Sequence, residues 1–155
     1  MDNCGDKYPN LWISNMFIGE YIHTIDHKRR IAIPSKFRKS LGKKAVIAQS
    51  LDNCLVIYPI EEWNKKASKL ESLPDGQVNA RTFARLILSG ANEVELDNLG
   101  RVLIPEHLKK YGSLEKNVAI IGLSNRIELW DEEKWQNYKA KMEKTVEDFA
   151  QQLGI

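Results

Sequence analysis

Two short segments of the chain share the form Asp-x-x-x-Arg, a spacing that points to a binding chemistry. One runs from Asp26 to Arg30 and the other from Asp97 to Arg101. A carboxylate that opens a turn can accept backbone N–H bonds and fix the shape of the turn. The arginine then projects from the start of the next strand, where its guanidinium suits phosphate or guanine O6 and N7. The same pattern is also typical of an Asp–Arg ion pair that only closes the turn.

A two-stranded ribbon with such tips fits the major groove of DNA, so the turns supply the candidate DNA-binding residues. These residues are Asp26, Lys28, Arg29, Arg30, Asp97, Gly100 and Arg101. Gly100 stands where a turn needs a left-handed residue, whereas the first turn has Arg29 at that place. Keeping the left-handed geometry with an arginine would cost about 1 kcal/mol. Either the first turn has a different shape or it carries strain.

The two segments belong to an internal duplication. Four residues recur 71 positions later in the chain: Gly19, Asp26, Arg30 and Pro34 match Gly90, Asp97, Arg101 and Pro105. Three more recur 72 positions later: Leu55, Tyr58 and Trp63 match Ile127, Trp130 and Trp135. A duplicated unit of about 45 to 50 residues explains both blocks.

Each copy predicts the same elements around its turn. A mixed apolar strand and a β-branched strand flank the turn as a hairpin, and a proline then occupies the first position of a short helix. Two further strands and an amphipathic helix close each copy. The predicted segments are 21–25, 30–33, 34–41, 45–49, 54–58 and 60–70 in the first copy, and 93–96, 101–104, 105–111, 117–122, 126–130 and 135–153 in the second. A linking helix over 77–89 joins the copies.

Two apolar runs indicate strands that are covered on both faces. Residues 55–57 and 118–121 are almost continuously apolar, where a half-exposed antiparallel strand would alternate. A unit of about 45 residues is too small to cover both faces itself. We therefore expect the two halves to interleave and other subunits to contribute. The aromatic residues of the closing helices are expected to belong to the core.

Charge is distributed unevenly although the net charge is only +2. Eight basic residues occur without an acidic residue among them: Lys28, Arg29, Arg30, Lys36, Arg38, Lys39, Lys43 and Lys44. The stretch 131–148 is slightly acidic instead. This asymmetry is compatible with one positive surface that contacts a polyanion, and also with ordinary solvated lysines.

Several classes of protein are not favoured. The two cysteines, Cys4 and Cys54, support neither a disulfide framework nor a cysteine-based zinc site, which fits a reducing compartment. No long apolar run or secretory start occurs, so we expect a soluble cytoplasmic protein. Catalytic motifs are missing and His23, His27 and His107 are scattered, so we expect no enzyme, cofactor, metal or small-molecule substrate.

From Met16 onwards, the order and spacing of these motifs resemble the MraZ family. The resemblance rests on residues 16–19, the two Asp-x-x-x-Arg-x-x-x-Pro tips, residues 55–59 with Trp63, and residues 127–131 with Trp135. It implies an α+β fold of two tandem swapped-hairpin β-barrel halves of the AbrB/SpoVT-like type, with accompanying helices and a pseudo-two-fold repeat. Two features depart from the family pattern: residues 1–15 precede its usual start, and Arg29 replaces its glycine.

The resemblance also implies a function. A member would be a nucleoid-associated regulator, with repression the expected sign, that binds repeated promoter boxes of the bacterial division and cell-wall gene cluster as a ring-shaped homo-oligomer. The predicted segments are an N-terminal disordered extension (1–15), two repeats (17–63 and 90–135), linking helices (64–89) and a C-terminal helix (136–155). The alternative is an antitoxin-like or structural oligomer that acts through protein partners. A disordered tail would favour that alternative, whereas the C-terminus here predicts an ordered helix.

Overall fold

The structure, a computed structural model, describes residues 16–155, so the predicted extension over 1–15 lies outside the described residues. The first copy comprises β1 (Phe17–Thr24), β2 (Arg30–Ala32), α1 (Ser35–Leu41), β3 (Lys44–Gln49), β4 (Leu55–Pro59) and α2 (Ile60–Glu71). Helix α3 (Val78–Gly90) links the copies. The second copy comprises β5 (Asn92–Glu95), β6 (Arg101–Leu103), α4 (Glu106–Tyr111), β7 (Asn117–Ser124), β8 (Ile127–Asp131) and α5 (Glu132–Leu153).

The two copies exchange strands. Six strands form an antiparallel sheet in the order β1-β7-β8-β4-β3-β5, and β2 pairs with β6 in a separate two-stranded ribbon. Strand β1 of the first copy pairs with β7 of the second, and β5 of the second pairs with β3 of the first. The strand order is unchanged when the copies are exchanged. The predicted α+β fold with two interleaved, pseudo-symmetric halves is therefore confirmed. The expected closed barrels are not formed by the strands of residues 16–155, because β1 and β5 remain edge strands of the sheet and β2 and β6 pair separately.

The predicted local hairpins are not two-stranded ladders. Each turn is closed, since Asp26 N–H donates to Arg30 O and Asp97 N–H donates to Arg101 O, both at 2.9 Å. Beyond the turn the two arms separate, because β1 continues along β7 whereas β2 pairs with β6. The strand that follows each turn thus finds its partner in the other copy.

One hydrophobic core lies between the ribbon and the sheet. Ile31 and Val102 point into it from the ribbon with no exposed surface, and they join sheet residues such as Ile57 and Ile120. Helix α1 adds Phe37, whose ring contacts the rings of Phe17 and Tyr21 edge-on at centroid distances of 5.4 and 5.3 Å. Both copies contribute to this core, so neither half encloses a core of its own.

The second face of the sheet is covered by helices of the same chain. Trp63 of α2 packs on Tyr58 with ring centroids 5.9 Å apart, and Trp135 of α5 packs on Trp130 at 5.3 Å. The expectation that other subunits help to cover these strands is wrong for this face. The closing helices suffice because each lies along the strand that precedes it and turns its apolar side onto the sheet.

The distal half of α5 departs from the expectation that its apolar residues are core. Val146, Phe149 and Leu153 are 48%, 53% and 73% exposed, and no residue of this helix is buried. A helix of 22 residues is about 33 Å long, whereas a strand of five residues spans about 17 Å. The helix therefore extends past the sheet and carries an apolar stripe that the chain itself leaves uncovered.

The short helices begin one residue later than predicted. Pro34 and Pro105 precede the first helical residue instead of occupying it, with extended ψ angles of 133° and 144°. Their carbonyls accept the first helical N–H groups, from Phe37 at 2.8 Å and Leu108 at 3.1 Å. The fixed φ of proline suits this capping position as well as the first helical one.

Among residues 16–155, no helix is long and apolar enough to span a membrane.

We predict that Gly122→Ala destabilises the fold by about 1–3 kcal/mol, because an added methyl group cannot be accommodated at this position. Gly122 faces Gly19 in the β1–β7 ladder, and a Cβ at position 122 would lie 2.5 Å from Ile18 N and 2.6 Å from Phe17 C. Urea unfolding measures the loss. Gly76→Ala is the control, since nothing lies within 4 Å of a Cβ there. Equal stabilities of the two variants would contradict the close packing of these strands.

Candidate nucleic-acid interface

The first tip is organised by the carboxylate of Asp26. Its Oδ1 accepts the backbone N–H of Lys28 at 2.9 Å and that of Arg30 at 2.8 Å. Its Oδ2 accepts Nε of the Arg30 side chain at 3.0 Å. The turn is completed by Arg29 N–H, which donates to Asp26 O at 3.0 Å. One aspartate thus fixes both the backbone of the turn and the direction of its arginine.

The second tip repeats this geometry. Oδ1 of Asp97 accepts the N–H groups of Leu99 and Arg101, both at 2.9 Å. Its Oδ2 accepts Nε of Arg101 at 2.8 Å, and Gly100 N–H donates to Asp97 O at 2.9 Å. The two Asp-x-x-x-Arg segments are therefore structurally equivalent, as their shared offset predicts.

Each tip arginine uses only part of its guanidinium in this pair. Within residues 16–155, the terminal nitrogens of Arg30 and Arg101 have no hydrogen-bond partner. Their side chains are 31% and 28% exposed. The ion pair that closes each turn is therefore present. It uses only Nε, so the two terminal nitrogens of each guanidinium remain available to a ligand.

Both aspartates are held in the ionised form. The backbone N–H of Arg30 lowers the pKa of Asp26 most, and the guanidinium of Arg30 and the N–H of Lys28 act in the same direction. The pKa of Asp97 is lowered in the same way, first by the backbone N–H of Arg101 and then by its guanidinium and by Leu99 N–H. The charge on each carboxylate is thus part of the folded structure of its tip.

The first tip carries strain at Arg29. This residue has φ 63°, close to the 73° of Gly100 at the equivalent place. The first turn therefore keeps the left-handed geometry, and the arginine adopts it at a cost of about 1 kcal/mol. Nε of Arg29 donates to Ile104 O at 3.1 Å. The side chain is thus held against the second copy.

The β2–β6 ribbon places the two tip arginines on one surface. Arg30 pairs with Leu103, and Ala32 pairs with Arg101. Since side chains alternate along a strand, these four residues share the face opposite to the buried Ile31. Arg30 and Arg101 are diagonal neighbours, a relation that separates residues by about 7–8 Å. We call this surface, Arg30, Ala32, Arg101 and Leu103 with the two tips, the ribbon face.

The structure brings the seven predicted site residues together in the two tips. Two further residues lie beside the tips. Leu103 is 51% exposed on the ribbon face, and Arg38, which the sequence groups only with the basic residues of the 28–44 segment, donates Nε to Ile33 O at 2.8 Å. The alternation of the ribbon strands could have indicated Leu103. The packing of Arg38 against Gly100 is a contact between the two copies, and no local pattern in the sequence indicates it. The remaining basic residues of the 28–44 segment are exposed lysines, of which Lys43 pairs with Glu95 at 3.4 Å.

The histidines lie on separate elements, as predicted. His27 is exposed in the first tip, Nδ1 of His23 lies 2.6 Å from Ala32 O, and Nε2 of His107 lies 3.3 Å from Gly90 O. In the part of the chain that the structure describes, no three His, Cys, Asp or Glu side chains are grouped as a metal site would require. Cys54 is buried, which raises the pKa of its thiol to about 12.

Comparison with known proteins agrees with the duplicated geometry. The MraZ protein family, whose description includes the term antitoxin-like, matches residues 16–86 and, a second time, residues 87–153. The chain belongs to the MraZ family. The two matched segments correspond to the two copies that exchange strands in the fold.

Similar MraZ proteins cover most of the chain. A protein of Halothermothrix orenii is 50% identical over 143 residues, which are 90% of this chain and 100% of its own. A protein of Natranaerobius thermophilus is 46% identical over 89% of this chain and 96% of its own. One from Clostridium tetani is 51% identical over 79% of this chain and 87% of its own. All three are named transcriptional regulator MraZ.

We predict that the contribution of the tips to stability is lost in acid. Because folding lowers the pKa values of Asp26 and Asp97 below the ordinary 3.8, ionisation favours the folded state. The contribution is complete above the ordinary value and disappears as the pH falls through the lowered values. The melting temperature of D26N/D97N should therefore lie below that of the unmodified chain at pH 7, and the difference should shrink towards pH 3.

Thermal unfolding across this pH range measures the effect. D75N is the control, because Asp75 is exposed and lies in the loop between α2 and α3. A difference between D26N/D97N and the unmodified chain that stays constant from neutral to acid pH would show that the two carboxylates do not stabilise the tips by their charge.

Proposed function

We propose that this MraZ-family chain is a sequence-specific transcriptional regulator that contacts double-stranded DNA through the ribbon face. The observation that carries the proposal is the pair of tip arginines. Each is fixed through Nε by its aspartate, and the terminal nitrogens of both have no hydrogen-bond partner within residues 16–155. The names of the related proteins support a regulatory role.

The dimensions of the ribbon face suit the major groove. A two-stranded ribbon fits this groove, which is about 12 Å wide. Diagonal neighbours in such a ribbon are about 7–8 Å apart, close to two steps of about 3.4 Å along a DNA strand. Arginine binds guanine O6 and N7 with two parallel hydrogen bonds. We therefore expect Arg30 and Arg101 to read bases about two steps apart and the exposed lysines after the first tip to neutralise phosphates.

The biological setting that we propose follows the family. The chain would bind repeated promoter boxes of the division and cell-wall gene cluster, act as a repressor, and work in the cytoplasm at the nucleoid. Weak contacts that are linked in one assembly gain about 10² to 10⁴ in affinity through effective concentration. Repeated boxes therefore favour a protein that carries several ribbon faces.

We also propose that the chain forms a closed, ring-shaped homo-oligomer. The support is the exposed apolar stripe of α5, which ends with Phe149 and Leu153, and the exposed Ile18 and Ile22 on the edge strand β1. Large apolar side chains in such groups mark protein contacts. A head-to-tail contact between the two halves of neighbouring copies closes into a ring when its rotation permits.

An antitoxin-like or structural oligomer that acts through protein partners is the second candidate. The exposed stripe of α5 favours it as well, because a different protein could cover the same side chains. Its C-terminal segment would then bind the partner, and the ribbon face would make no contact that the function requires. The two candidates differ in which side chains the function depends on, the tip arginines or the apolar stripe of α5.

We predict that Phe149→Lys reduces the size of the assembly, because it places a charge in the apolar stripe. Sedimentation velocity measures the size. Q151K adds the same charge on a different side of the helix and should leave the assembly intact. Affinity for DNA with several boxes should fall in Phe149→Lys, while affinity for one box is retained. A monomeric unmodified chain would rule out the ring.

The direct test of DNA recognition is the variant R30A/R101A. We predict a loss of about 1–3 kcal/mol in binding free energy for each arginine, measured with a promoter fragment from the host's division gene cluster. K141A/K144A removes the same two charges from exposed positions of α5 and is the matched control. Sizing and circular dichroism establish that both variants are folded and assembled. Unchanged affinity in an assembled R30A/R101A variant would end the proposal.

A further inference from the structure

Two main-chain carbonyls beside the tips each accept a hydrogen bond from an arginine Nε. Arg29 donates to Ile104 O at 3.1 Å, and Arg38 donates to Ile33 O at 2.8 Å. Ile33 and Ile104 are equivalent residues of the two copies, and each directly follows a ribbon strand. Each is also bonded to the opposite tip, since Ile104 N–H donates to Arg29 O at 2.8 Å and Ile33 N–H donates to Gly100 O at 2.9 Å.

The two arginines come from different positions of the repeat. The residue 71 places after Arg29 is Gly100, and the residue 71 places after Arg38 is Lys109. At Gly100 the guanidinium of Arg38 fills the space that a side chain would take, and a Cβ there would lie 2.7 Å from Arg38 Cδ and closer still to Nε. At Ile104 O the guanidinium comes from Arg29, a residue of the tip itself. Lys109 makes no hydrogen bond or ion pair with its side chain within residues 16–155.

We propose that Arg29 and Arg38 are interchangeable positioning residues, each of which clamps one tip to the base of the ribbon. The strained φ of Arg29 is then the consequence of supplying this clamp from the tip instead of from the helix. Arg29 bonds its own tip to Ile104 of the other copy, whereas Arg38 bonds to Ile33 within its own copy and packs its guanidinium against Gly100 of the second tip. They therefore hold Arg30 and Arg101 in a fixed relation across the ribbon face.

The clamps also add to the charge beside the tips. Both arginines use Nε internally, and their terminal nitrogens have no hydrogen-bond partner among the described residues. The second tip carries Asn98 and Leu99 where the first has His27 and Lys28, so Arg38 brings a charge to the less basic tip. In this respect the inference rests on the proposed DNA binding. Each tip would then offer two guanidinium groups to DNA, one fixed by an aspartate and one by a carbonyl.

The test is a thermodynamic cycle between positions 29 and 109. R29G removes the clamp of the first tip, and K109R restores an arginine at the position that Arg38 occupies in the other copy. We expect K109R to raise the melting temperature of the R29G variant. When Arg29 is present, K109R should leave the melting temperature unchanged or lower it, because Ile104 O already accepts a hydrogen bond from Arg29. K110R is the matched control, since Lys110 is the next residue of α4 and is exposed.

The reciprocal exchange uses the second tip. G100R alone should destabilise the chain because its side chain overlaps that of Arg38, and R38K in the same chain should recover part of the loss. DNA binding supplies a readout beyond stability. R29G should reduce the log–log salt slope by about 0.9, the contribution of one phosphate contact, and K109R should restore it in the R29G background.

The outcomes separate this inference from the proposed function. If K109R shifts the melting temperature equally in both backgrounds, or K110R acts as well as K109R, the clamps are not interchangeable and the proposal is overturned. Stability that recovers without recovery of the salt slope would overturn the DNA-facing part of the inference. If R30A/R101A binds DNA normally, the proposed function fails. The melting temperatures of the R29G and K109R variants still test whether Arg29 and Arg38 are interchangeable.

Discussion

The antiparallel pairing of β2 with β6 is the constraint on which the rest of the structure depends. It joins the two copies through strands of three residues, with Ile31 opposite Val102. These two side chains have no exposed surface, so the opposite face must carry Arg30 and Arg101. A slip of one residue would bring the arginines into the core and the apolar residues to the surface. The core therefore fixes the register, and the register places both arginines on one face.

Much of this arrangement could be predicted from the sequence because the chain is duplicated. The shared offset of Asp26 and Asp97 shows that the two turns are equivalent, and the β-branched residues after them predict strands. The partner of each strand could not be predicted in this way, since a local hairpin and an exchanged ribbon have the same local pattern. Exchange was expected because a half-size unit is too small and because the resemblance to the MraZ family implies swapped hairpins. Its form depends on contacts between residues some 70 positions apart.

The tips show the same division between local and long-range information. The Asp-x-x-x-Arg spacing predicts a carboxylate that fixes its turn, because both partners lie within five residues. It left open whether the arginine closes the turn or meets a ligand, and the geometry allows both, since Nε takes one role and the terminal nitrogens remain for the other. The strain at Arg29 was one of two alternatives, decided by its φ of 63°. The contact of Arg38 with the second tip has no local signal.

Amide hydrogen exchange of the full chain, with and without DNA, tests the central claim most directly. The claim is that the two tips and the ribbon between them form one DNA-contacting unit. With a promoter fragment of the division gene cluster, exchange should slow most over residues 26–31 and 97–103, in both copies together, and a scrambled fragment of equal length should protect them less. Protection of α5 with unchanged exchange at both tips, under conditions where the promoter fragment is bound, would contradict the account.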